Sequence, residues 1–171
     1  MNTVGLFLIA SLLSQGSNPA YPTGQRGYSF HQFSPNKPVM QQQPEQIVRD
    51  FLTAVQQGQL DKAIPLLHPQ VSWHQPGNHQ FAGHKHSRDE LVQMIGGMFQ
   101  HTANTLTLKS FDRVAVNGNQ VACVVHWQAV QEAGGRLSVD NIDTYTVRNG
   151  QITEVTIFSA DIQQEDTFWP R

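Results

Sequence analysis

Asp143 lies in the stretch LSVDNIDTYTVRNGQITEVTIFSADI, residues 137–162. Read as an extended strand, its side chain shares a face with Leu137, Val139, Asn141, Tyr145 and Val147, because successive side chains point to opposite faces. A carboxyl on so apolar a face must be paired, be protonated, or line a cavity, since burying a lone charge is too costly. The expectation is a pocket against this face, with Asp143 as its acid or base. Two further groups could move a proton with it. Asp161 stands at the end of the second strand of the stretch, although an aspartate there also caps turns. His126 has an unperturbed pKa of ~6.5, suited to proton transfer. Both faces of its strand are apolar, Ala122 and Val124 against Val121, Cys123 and Val125, so alternation leaves its direction open.

Other residues are weighed against plainer roles. Trp73 shares its face with Val71 and Gln75 and lines either the pocket or the core. His74 points the other way by alternation, unless Pro76 beyond it twists the chain inward. His74, His79, His84 and His86 make a histidine-rich segment, but the spacing matches no structural zinc pattern and no cysteine joins it, so no metal site is expected. Met94, Met98 and Phe99 recur at helical spacing and read as core or as an adaptable pocket wall. Cys123 is the sole cysteine and reads as a small buried hydrophobe. There is no Gly-rich phosphate loop and no Ser-His-Asp order, so nucleotide chemistry and hydrolase triads find no support.

These groups need elements to hold them. Asn149-Gly150 is a strong signal for a tight hairpin turn and splits residues 137–162 into two strands. Upstream, Pro44 and Glu45 open a helix in which Ile47, Val48, Phe51, Leu52 and Val55 form one apolar stripe, stopped at Gly58. Asp61, Ala63, Ile64, Leu66 and Leu67 suggest a second short helix, bent or entered at Pro65. Residues 71–74 read as a short strand ended by Pro76-Gly77, and residues 78–85 as a loop. Ser87 caps the next helix, with Glu90 completing a capping box and Leu91, Met94, Ile95, Met98 and Phe99 on one face. Strands follow over residues 105–116 and 121–130, with turns at Asn117-Gly118 and Gly134-Gly135. Helices first and an antiparallel sheet after is the pattern of an α+β fold.

The 171 residues suffice for one domain with a substantial core, and a net charge of −2 without an Arg/Lys stripe argues against a nucleic-acid partner. Residues 4–13, VGLFLIASLL, are too few to span a bilayer but suit a signal-peptide core, with Ser14-Gln15-Gly16 as a small-residue cleavage site. No Lys or Arg precedes that run, which favours a cytoplasmic location over export, and Met40 is an alternative start. Residues 1–43 as a whole read as a low-complexity tail, and residues 44–171 as the folded domain.

The order of these elements, together with VQQGQLDKAIPLL after the first helix, WHQPG at 73–77, FAG at 81–83, the hairpin TYTVRNGQITEV and the ending DIQQEDTFW, resembles the SnoaL-like branch of the NTF2-like superfamily. That superfamily also includes ketosteroid isomerases and limonene-epoxide hydrolases. The resemblance covers residues 44–169. It implies a cone-shaped α+β barrel: N-terminal helices packed on a curved, mainly antiparallel sheet around a deep apolar pocket, commonly as a dimer. Ketosteroid isomerases use an aspartate base, a tyrosine and a protonated aspartic acid. Asp143 matches the protonated acid, but Phe51 stands where the tyrosine would be and Gln75 where the base would be, so that mechanism is not expected. SnoaL-type cyclases ask only for an apolar pocket and an acid/base group, which Asp143 and Asp161 could supply. The Asp-Arg-Asp set of the epoxide hydrolases would need an arginine where Asn141 stands.

The expected protein is therefore a cofactor-independent proton-transfer enzyme of isomerase, cyclase or dehydratase type, acting on a small apolar, oxygenated molecule. Asp143 carries the chemistry, with Asp161 and His126 as partners. Trp73, His74, Phe51, Gln75, Met94, Met98, Asn141, Tyr145 and Phe158 shape the pocket. Two other readings stay open, a non-catalytic carrier of a small apolar ligand and a dimeric adaptor module.

Overall fold

The computed structural model describes residues 43–171. The apolar run at 4–13, the cleavage site at 14–16, Met40 and all but the last residue of the expected tail lie outside the described residues. Helix α1, Pro44–Gln56, starts with proline in its first turn and buries Ile47, Val48, Phe51 and Leu52. Its apolar stripe packs across strands of the sheet that follows. Pro65 does not sit in a continuous second helix. Helix α2 covers only Leu60–Ala63, and Ile64–Leu66 tighten into a 3-10 turn. Strand β1, Leu67–Gln75, begins earlier than expected, with an irregular register between Leu67 and Ser72. Pro69 lies in that irregular stretch, where a missing N–H breaks no ladder bond.

Residues 78–85 are not wholly a loop either. Gly83–Lys85 form β2, which pairs antiparallel with the end of β1, His74 opposite His84. Three residues are too few to show alternation in a sequence. Helix α3, Arg88–His101, is capped as expected. Ser87 Oγ accepts from the Glu90 N–H at 3.2 Å, while the Glu90 carboxylate returns to the His86 N–H at 2.8 Å.

The remaining strands are β3, Thr107–Asn117; β4, Gln120–Val130; β5, Arg136–Arg148; and β6, Gln151–Ser159. Asn149 and Gly150 both take positive φ, 51° and 80°, the backbone that joins β5 to β6 through a primed turn. The sheet order is β2-β1-β6-β5-β4-β3, antiparallel except for the β1–β6 pair. It is curved and unclosed, the α+β cone that the helix-then-sheet order implied. The last seven-residue element, α4 at Ile162–Phe168, replaces the strand end expected at 160–162.

Candidate functional site

One face of the sheet and helices α1 and α3 enclose a cavity of about 480 Å³, within the roughly 300–1,000 Å³ of small-molecule sites. Its wall is mainly Phe51, Trp73, Met94, Met98, Trp127 and Trp169 with aliphatic neighbours, and among the described residues no Lys, Arg or His lines it. Asp143 and Tyr145 meet at this wall because positions two apart on β5 share a face. The Tyr145 hydroxyl donates to Asp143 Oδ2 at 2.9 Å. Both are buried, and among the described residues Asp143 Oδ1 has no hydrogen-bond partner. Burial pushes the Asp143 carboxyl up to about 7, with the charge of Glu165 adding to the rise and the Tyr145 hydrogen bond opposing it. Burial and the same carboxyl hold the Tyr145 phenol well above its ordinary value. Cys123, opposite Asp143 on β4, is pushed up to about 12 by burial and then by Asp143, so it stays a neutral, packed thiol.

Of the pocket residues expected, Phe51, Trp73, Gln75, Met94, Met98, Asn141 and Tyr145 all line the cavity with Asp143. Phe51 meets Tyr145 edge-on, ring centroids 6.1 Å apart. The Trp73 indole N–H donates to Gln75 Oε1 at 3.2 Å, which occupies that amide oxygen.

Four expected residues are elsewhere. His126 points to the opposite face of β4, because Cys123 and Val125 take the inner one; its Nδ1 lies 2.6 Å from Asp140 Oδ1. Phe158 is 55 % exposed, since Val155 and Ile157 fill the inner positions of β6. His74 alternates outward from Trp73 and stacks on His84, centroids 3.9 Å apart. His86 tilts against His84 in turn, while His79 is buried against Phe81 and Trp169. Among the described residues, no three His, Cys, Asp or Glu side chains are arranged to hold a metal ion. Asp161 is the N-cap of α4; its Oδ1 accepts from the Gln164 N–H at 2.9 Å, which turns the carboxylate toward the helix and away from the cavity.

The residue missed by pattern reading is Glu165, in the middle of α4. It is 2 % exposed and lines the cavity. Burial raises its carboxyl above the ordinary glutamate value, while Ser159, Trp169 and Asn141 act to lower it. In the amide orientation that satisfies its neighbours, Asn141 Nδ2 donates to Asp140 O at 2.8 Å and to Glu165 Oε1 at 3.3 Å. Several bonds pin α4 in place: Asn78 N–H to Asp166 Oδ1 at 2.6 Å, Ser138 N–H to Gln164 Oε1 at 2.8 Å, and Gln80 N–H to Pro170 O at 2.9 Å. The signal in the sequence was a capped segment, Asp161 followed by Gln164 and Glu165, ending in Phe168-Trp169.

A curved α+β cone with helices over an apolar cavity defines the class, the NTF2-like fold. Residues 48–155 match the SnoaL-like domain, and the chain belongs to that family. An uncharacterized protein of Mycobacterium tuberculosis is 28 % identical over 123 residues, 72 % of this chain and 93 % of that one. A Xanthomonas campestris protein of unknown function with a cystatin-like fold is 32 % identical, with a TM-score of 0.72 over 75 % of this chain and 99 % of that one. TerC, co-crystallised with polyporic acid, shares the fold at 13 % identity and a TM-score of 0.64, over 73 % of this chain and 98 % of that one.

Proposed function

We propose that the protein is a cofactor-independent proton-transfer enzyme, of isomerase, cyclase or dehydratase type, acting on a small apolar, oxygenated molecule. The carrying observation is Asp143 in the wall of an apolar cavity, its Oδ1 unpartnered among the described residues and its carboxyl pushed up to about 7 by burial. A group with its midpoint near the working pH both gives and takes a proton readily. TerC, which shares this fold, was co-crystallised with polyporic acid, and that supports a small-molecule role. The same reading takes the protein as a homodimer.

Carboxyl NMR titration, with Asp143→Asn as the assignment control, tests this directly. A midpoint well above ~3.9, joined to turnover in a panel of ketones and enones, is the expected result. An ordinary midpoint removes the acid/base role.

A second reading, a carrier that binds a similar molecule without turning it over, is favoured by Gln75. That residue cannot take a proton, and Trp73 holds its amide oxygen. Tight binding with no turnover across the panel would select it.

A further inference from the structure

We propose that the Gln75 side-chain amide, oriented by the Trp73 indole, selects the ligand of this cavity by donating to an uncharged carbonyl oxygen. The inference rests on the small-molecule binding that both readings above share. Trp73 and Gln75 are alternate residues on β1, and both line the cavity. An indole nitrogen is a donor only, so its partner on Gln75, 3.2 Å away, must be the amide oxygen. A turned amide would set N–H against N–H. The contact therefore fixes the amide, and its other end carries two N–H donors.

Those donors have no use within the fold. Among the described residues, nothing accepts from Gln75 Nε2. Unlike Asp143 Oδ1, that nitrogen is not sealed in the packing, so it keeps accessible surface. For a residue 9 % exposed that lines the cavity, that surface is the cavity's own. An amide that served only to satisfy the buried indole would need its oxygen alone. Two donors left in an apolar wall cost free energy until water or a ligand meets them.

Sheet register separates this donor from the acid. His74 pairs with Thr156 on β6, so one step further sets Gln75 level with Ile157, and Ile157 pairs with Asp143 on β5. Gln75 and Asp143 thus stand two strands apart, roughly 10 Å between backbones. The amide is a second polar point in the wall, distinct from the Asp143–Tyr145 pair.

Its chemistry sets the ligand class. A neutral amide offers hydrogen bonds but no countercharge, and among the described residues no Lys, Arg or His lines the cavity. A carboxylate or phosphate would enter with its charge unpaired. A ketone, ester or amide oxygen on an apolar frame matches the donor and leaves the aromatic wall to the rest of the molecule.

The test compares two probes of one shape on the full chain, by equilibrium dialysis. They are 2-acetylnaphthalene and 2-isopropenylnaphthalene, in which a methylene replaces the carbonyl oxygen. The quantity read is the ratio of their dissociation constants. Gln75→Leu is expected to shift that ratio about 10-fold against the ketone, while the alkene binds at least as well as before. Trp73→Phe keeps an aromatic ring but frees the amide to turn, and is expected to shift the ratio about 3-fold in the same direction. A packing role alone would weaken both probes together. In wild type, the Gln75 side-chain amide protons are expected to move downfield with the ketone and not with the alkene, a readout that needs no variant to fold. An unchanged ratio in folded Gln75→Leu, or amide protons that respond alike to both probes, overturns Gln75 as the selecting group and leaves the small-molecule reading standing. Failure of wild type to bind either probe removes that reading, and the inference with it.

Discussion

Asp143 and Asp140 sit on the same strand, and each contacts one polar ring: Asp143 the Tyr145 phenol at 2.9 Å, Asp140 the His126 imidazole at 2.6 Å. An odd spacing sends them to opposite faces of the sheet. On the inner face Asp143 is 2 % exposed and its carboxyl is raised by burial. On the outer face the side chains of Asp140 and His126 are 61 % and 27 % exposed, so water screens their attraction and the pair is worth roughly 0–1 kcal/mol. Residue type and contact distance are nearly matched. What differs is the dielectric around them, and burial raises the proton affinity of the inner acid.

Four experiments bear on that contrast. The largest effect is expected at the inner acid: Asp143→Asn should reduce enolisation of a responsive ketone ~100-fold or more in kcat/KM while leaving the cavity able to bind it, read by Trp fluorescence. Equal rates in variant and wild type would place the chemistry elsewhere.

Stability against pH should follow next. A carboxyl whose folded pKa exceeds its unfolded value holds more protons in the folded state, so stability falls as pH rises through that window. For Asp143 the window runs from 3.8 to about 7, and at ~1.4 kcal/mol per unit the loss amounts to a few kcal/mol. Glu165 shifts in the same direction. Urea midpoints between pH 4 and 8 should therefore decline in wild type and decline less in Asp143→Asn. Parallel slopes would show that Asp143 is not buried as an acid.

Tyr145→Phe removes the donor that favours ionised Asp143, so the carboxyl midpoint should move further up and stability drop by about 1 kcal/mol. A downward move would contradict the hydrogen bond.

Smallest of all, His126→Ala and Asp140→Asn should each change stability by less than about 1 kcal/mol and leave the Asp143 titration in place. A displaced Asp143 midpoint in either variant would mean that the two faces communicate through β4 and β5.

Several features of this site were legible before any coordinates. Period-two alternation put Asn141, Asp143 and Tyr145 on one face of β5, and helical spacing brought Phe51, Met94 and Met98 toward it. Asn149-Gly150 marked the hairpin that aligns β5 with β6. His126 and Phe158 were misplaced because strands with apolar residues on both faces carry no internal sign of which side is buried. Asp161 was misjudged for a different reason. An aspartate after a strand suits either a pocket rim or a helix cap, and the N–H of Gln164 decided for the cap. Glu165 escaped notice because an acid in a short polar segment looks solvated until something covers it.

The sequence by itself determined the α+β order, the turn and cap positions, the family and the acid on an apolar strand face, because each rests on local spacing that backbone sterics translate directly into structure. The tertiary structure alone decided which face of β4 and β6 is interior, and that α4 folds back so that Glu165 comes to Asn141. Those facts depend on contacts between segments more than twenty residues apart, such as Asn141 with Glu165 and Asn78 with Asp166. Burial, which sets the proton affinity of both acids, comes into being only when those segments meet.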